Sequence, residues 1–207
     1  MSIAVRSIAD EQESLEADLK DEILRMYSEI AENPDGDFHF FHGREAAERF
    51  GYDPDLLDRA PASAVDAFAG VGNPPLRSAL EEGMTVRDLG SGAGLDGILA
   101  SWGVGPSGRV IGVDFSPTMC RRARANAAET GSTLDCREGR MEDIPVEDGT
   151  VDVAISNGVI NLSFRKRRVL RELHRVLRPG GRVSIADIVS AKQLSQSIVN
   201  DPKLWAS

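Results

Sequence analysis

Apolar residues recur at three- and four-residue steps from Leu15 through Leu19, Ile23, Met26 and Tyr27 to Ile30, which predicts an amphipathic helix over residues 10–32. The NPDGD segment that follows reads as a stop and turn. From FHFFHG to GVGNPP the chain mixes short helical pieces with Gly and Pro and shows no strand alternation, so an irregular cap is expected there. After Gly83 the pattern changes. Short apolar runs predict strands at Thr85–Leu89, Arg109–Asp114, Thr133–Arg137, Val151–Ser156 and Arg182–Asp187. Between them, helical spacing covers Leu95–Trp102, a stretch opened by Ser116-Pro117 and running through Ala128, and residues 164–177. A Ser cap before Pro starts the second of these helices, and Pro179-Gly180-Gly181 stops the third. Strands alternating with helices predict an α/β fold, a Rossmann-like and mostly parallel sheet with helices on both faces. The expected division is a helical and irregular cap region at 1–83 and the Rossmann-like domain at 84–207.

Composition narrows the class. The 207 residues suffice for one globular domain with a substantial core; 41% are hydrophobic and 28% charged, against wholesale disorder. A net charge of −9 argues against non-specific nucleic-acid binding, although Arg165, Lys166, Arg167, Arg168 and Arg171 cluster on one predicted helix. No run approaches the ~18 apolar residues that span a bilayer, and the N-terminus turns acidic at once, so the expectation is a cytoplasmic protein with no membrane partner. Cys120 and Cys136 are too few for a disulfide framework or a zinc site, and no metal is expected.

Candidate chemistry concentrates at strand ends. The fourth strand runs into Ser156-Asn157-Gly158, and polar groups there need partners. The first runs into Asp88-Leu89-Gly90-Ser91-Gly92-Ala93-Gly94, where bare backbone can approach a ligand at a helix start. Asp114 ends the second strand, where a carboxylate can take both hydroxyls of a ribose. The spacing is Gly-x-Gly-x-Gly, not the Gly-x-Gly-x-x-Gly that admits a pyrophosphate. Asp88 just before it would repel a pyrophosphate but suits an ammonium group. S-adenosylmethionine has that ammonium and no phosphate, and is the expected cofactor.

DLGSGAG, RVIGVD, MEDIPVEDGTVDVAISN and LHRVLRPGGRVSIADIV together resemble a class I S-adenosylmethionine-dependent methyltransferase over residues 84–190. The resemblance implies that Gly90, Ser91, Gly92 and Gly94 hold the methionine part and Asp114 the ribose. It places Met141 and Glu142 beside adenine, and Ser156 and Asn157 facing the methyl donor. It also implies two further strands after the fifth; about 20 residues follow Asp187, so those strands are expected to be missing. FAGVGNPP, DLGSGAGLDG, SNGVINLS and the terminal DPKLWAS narrow the likeness to the arsenite methyltransferases, over roughly residues 40–207. That family holds trivalent arsenic by thiolates; at the matching positions this chain has Gly158 and Val71, and it stops at Ser207.

The expected function is methyl transfer to a small-molecule acceptor, the alternative being a binding or scaffold protein that keeps the fold. Asn157 and Asn161 are candidates to orient an acceptor, or they cap the strand end and the helix start. His42 and His39 in the cap are candidate bases; His174 reads as a surface residue and Tyr27 and Tyr52 as packing residues or lids. A fifth strand left at the sheet edge invites pairing, so a homodimer through that strand is a further expectation.

Overall fold

The computed structural model describes residues 8–32, 41–192 and 201. His39, the NPDGD turn and all of the terminal DPKLWAS except Asp201 lie outside them. The first helix, α1, spans Ile8–Glu32 and buries Leu19 and Ile23. The short helical pieces expected in the irregular region are four helices: α2 (Gly43–Arg49), α3 (Pro54–Arg59), α4 (Ala62–Asp66) and α5 (Pro74–Arg77). Two of them start on an Asx-Pro pair. The Asp53 side chain accepts from the Asp55 N–H, and that of Asn73 accepts from the Leu76 N–H.

Then come β1 (Thr85–Leu89), α6 (Leu95–Val104), β2 (Arg109–Asp114), α7 (Pro117–Thr130), β3 (Leu134–Glu138), β4 (Val151–Asn157), a 3-10 turn at Ile160–Leu162, α8 (Lys166–Val176) and β5 (Leu177–Ala186). Among the described residues five strands pair in parallel in the order β3-β2-β1-β4-β5, the Rossmann-like sheet that the pattern predicts, without later strands. The last helix ends earlier than its breaker suggests. Leu177 already has an extended ψ of 134° and pairs with Val151, and the Arg178–Gly181 segment is accommodated as an irregularity within β5.

Each face of the sheet carries its own core. On one side Val86, Val110, Cys136, Val153 and Ile155 pack against Ile98 of α6, Ala123 of α7 and, from the N-terminal part, Ala46, Leu57 and Val65. On the other, Leu89, Val113, Val151 and Ala154 meet Val169, Leu173 and Val176 of α8. The strand order reverses between β1 and β4, where β2 continues to one side and β5 to the other. A crevice at the carboxyl ends of the strands opens at such a reversal.

Candidate functional site

The pocket lies at those carboxyl ends. Gly90–Ala93 after β1, Asp114 and Phe115 after β2, Gly139–Glu142 after β3, and Asn157 and Val159 around the end of β4 line one side. Leu19, Ile23 and Tyr27 of α1, with Ala64 and Ala67–Gly70, line the other. At Gly90 a Cβ would run into the side chain of Val159, and φ is +66°, so only glycine leaves this backbone bare against the pocket.

Asp114 is buried and held from both sides: its Oδ2 accepts from the Gly92 N–H at 2.9 Å and its Oδ1 from the Ser116 N–H at 2.9 Å. Each oxygen keeps a further lone pair for a ligand hydroxyl. Burial raises its pKa, and the backbone donors oppose that rise. Glu142 accepts from Ser163 Oγ at 2.6 Å, and Met141 packs beside it against the core over the α8 face.

Of the residues singled out from the sequence, Gly90, Ser91, Gly92, Asp114, Met141, Glu142 and Asn157 all reach the pocket. Asp88, Gly94 and Ser156 do not line it. The carboxylate of Asp88 is turned under the loop, where it accepts from Ser91 Oγ at 2.7 Å. Burial first, and the charge of Asp96 second, push its pKa up to about 7. Asn161 lies beside the pocket, tied through its main chain: its N–H donates to Asp187 Oδ2 and its carbonyl accepts from Lys166 Nζ. His42 precedes α2, away from the lining, and His174 is exposed on α8. The two cysteines are buried and unbridged, and neither lines the pocket.

Asn157 answers the question raised by the polar strand end. Its Oδ1 accepts from the N–H groups of Val71 and Gly72, at 2.8 and 3.1 Å. Its Nδ2 donates to Gly72 O and Asp96 Oδ2, both at 2.9 Å, and to the Tyr52 hydroxyl at 3.2 Å. The Tyr52 hydroxyl donates in turn to Asp96 Oδ1. So the amide of Asn157 is spent on fixing the 71–72 loop and Asp96, a pocket-lining acid that sequence reading passed over. Gly158 belongs here for a backbone reason: its φ of +72° is one that a cysteine at this place would adopt only under strain.

The glycine cradle, the oriented Asp114 and the apolar walls fit an adenosyl ligand with an amino-acid tail, and Asp96 beside the loop does not suit a pyrophosphate. Comparison with known proteins agrees. A methyltransferase-domain family model matches residues 80–207. The chain belongs to that methyltransferase family. S-adenosylmethionine is accordingly its cofactor. The arsenite methyltransferase of Halobacterium salinarum is 45% identical over 157 residues, covering 75% of this chain and 40% of that protein. The demethylmenaquinone methyltransferase of Lactococcus lactis is 37% identical over 102 residues, covering 49% of this chain and 40% of the relative. Among solved structures, an arsenic(III) S-adenosylmethionine methyltransferase from Chlamydomonas reinhardtii matches with a TM-score of 0.60 and 34% identity, over 78% of this chain and 53% of that one. The methyltransferase chain thus spans about half the length of these proteins or less. Among its described residues no helix is long and apolar enough to cross a membrane.

Proposed function

We propose that the protein transfers a methyl group to a small, soft nucleophile such as a trivalent arsenical carried on thiols that the acceptor itself brings. The observation that carries this reading is the pocket lining, which joins a glycine loop and an oriented Asp114 to a mainly apolar helical wall that, among the described residues, holds neither His nor Cys. S-adenosylmethionine, when bound, supplies a methyl group already activated by its sulfonium. Asp114 would take the ribose hydroxyls, the backbone at Gly90–Gly92 would carry the amino-acid part, and Met141 would pack against adenine. Leu19, Ile23 and Phe68 would exclude water from the reacting pair, and the N-terminal region acts as the cap over it. A thiol or arsenical lone pair needs little help from a base, which suits a helical wall whose described residues include no histidine. The names of the Halobacterium and Chlamydomonas proteins favour an arsenical acceptor.

The test is calorimetric titration with S-adenosylhomocysteine. The wild type should bind, and Asp114→Ala should lose about 10- to 100-fold in affinity while a melting curve shows it folded. Arsenite with and without a small dithiol is then assayed for methylated product. Binding with no turnover of arsenicals or other acceptors would favour the scaffold alternative; no binding by a folded wild type would overturn the reading.

The outer edge of β5 supports pairing with a second copy. Val183 and Ile185 lie there 49% and 41% exposed, whereas the opposite edge, β3, shows the charged Asp135 and Arg137. Sedimentation should show a dimer that Val183→Lys dissociates; a monomer at all concentrations removes this part of the proposal.

A further inference from the structure

Two carboxylates compete for the positive end of the cofactor, and sequence order favours Asp88. We propose instead that Asp96 is the residue that receives the cofactor's ammonium group, an inference that rests on the S-adenosylmethionine reading above. Asp96 stands in the first turn of α6, two residues beyond the last glycine of the loop, and lines the pocket at 8% exposure. Both of its oxygens are fixed, Oδ1 by the Tyr52 hydroxyl and Oδ2 by the Asn157 amide at 2.9 Å. Neither donor can turn away easily. Tyr52 is buried with its ring 5.0 Å from that of Phe68, and Asn157 is tied to three further groups of the 71–72 loop.

What this network lacks is positive charge. The groups that offset the burial of Asp96 are Tyr52 and Asn157, both neutral. They satisfy one lone pair on each oxygen and orient the carboxylate without neutralising it; Lys20, Arg140 and Arg165 line the same pocket but are not among the groups that act on Asp96, whose immediate walls are Leu95, Phe68 and Ala69. A cationic group entering the pocket beside the loop completes the pair, and an ammonium presents the three N–H donors that the remaining lone pairs can accept. Asp88 offers no such arrangement. It lies beneath the loop, takes the Ser91 hydroxyl and would approach a Cβ placed on Gly97 to 3.2 Å, so its carboxylate is packed against the start of α6 and not open to the pocket. Asp114 sits across the loop on β2, tied to Gly92 and Ser116. In this scheme Asp96 binds, and Asn157 and Tyr52 are positioning residues that act through it.

The experiment compares two ligands on the intact chain: S-adenosylhomocysteine, and its deaminated analogue in which hydrogen replaces the ammonium. Calorimetric affinities are measured for the wild type, Asp88→Asn, Asp96→Asn and Asp96→Ser. Serine is included because the amide introduced by Asp96→Asn would face the Asn157 amide donor-to-donor in one of its two orientations, and the smaller side chain avoids that clash. The wild type and Asp88→Asn should prefer S-adenosylhomocysteine over the deaminated analogue by about 10- to 100-fold. Either Asp96 variant should bring that ratio close to one while binding the deaminated analogue as the wild type does. A ratio kept in both Asp96 variants, or lost in Asp88→Asn, overturns the proposal while leaving the cofactor reading intact. A wild type that binds neither ligand sinks both.

Discussion

The two walls of the pocket are built by different rules. The strand-end wall recognises with fixed polar groups: the main chain at Gly90–Gly92, the carboxylate of Asp114 tied to two N–H groups, and Asp96 beside them. The helical wall is mainly apolar, with Leu19, Ile23, Ala64, Ala67 and Phe68 excluding water, though Lys20 and Tyr27 also line it. In the function proposed above, one wall sets which cofactor fits and the other how dry the acceptor stays. The comparison teaches where specificity can drift. In that reading, changes in the helical wall would alter which acceptor enters without touching the groups that hold the cofactor.

The walls are joined at one seam, where Asn157 at the end of β4 holds the loop at Val71 and Gly72. Gly70 is what lets them close: a Cβ there would stand 2.6 Å from Phe68 Cζ and closer still to Asn157 Nδ2. Gly70→Val should therefore break the comparison outright. Overpacking and the disrupted amide bonds together should cost about 2–4 kcal/mol, read as a lower urea midpoint at unchanged slope, with loss of S-adenosylhomocysteine binding. A variant as stable as the wild type that still binds would mean that the two walls are not coupled through this contact.

The strand-end wall was largely legible in the sequence; of the helical wall only the apolar stripe of α1 was, and not its place over the strand ends. RVIGVD shows its strand and its terminal acid in six consecutive residues, and the structure places β2 at those six, Arg109–Asp114. The seam has no local signature: Asn157 meets Asp96, Gly72 and Tyr52 across 61, 85 and 105 positions of chain. Asp96 reads locally as an ordinary acid in a helix's first turn, favoured there by the backbone dipole. For Asp88 a signal existed. Strand alternation puts it on the same side as Val86, beneath the loop and toward α6, so the period of two already turned it from the pocket. The Asx-Pro pairs at Asp53 and Asn73 likewise announce where two of the short helical pieces in that stretch start.

The smallest expected effect separates the two acids of the strand-end wall by pH. Asp88 titrates near 3.8 in an unfolded chain and near 7 here, because burial and the neighbouring Asp96 both oppose its charge while the Ser91 hydroxyl and Arg87 only partly offset them. Between those values the folded protein keeps a proton that the unfolded chain has released. Stability from this group is therefore full at low pH and declines as pH rises from about 4 to about 7. Replacing it with Asn mimics the protonated form at every pH, so Asp88→Asn should flatten that decline, with a difference from wild type in urea unfolding several-fold larger at pH 7.5 than at pH 4.5. Cofactor binding through Asp96 runs the other way. Its pKa is pushed up to about 6 by burial, so protonation below that value removes the charge that an ammonium needs. S-adenosylhomocysteine should therefore bind more weakly at pH 5 than at pH 7.5 in the wild type and in Asp88→Asn alike. If Asp88→Asn instead abolishes the pH dependence of binding and leaves that of stability unchanged, the roles of the two carboxylates are exchanged.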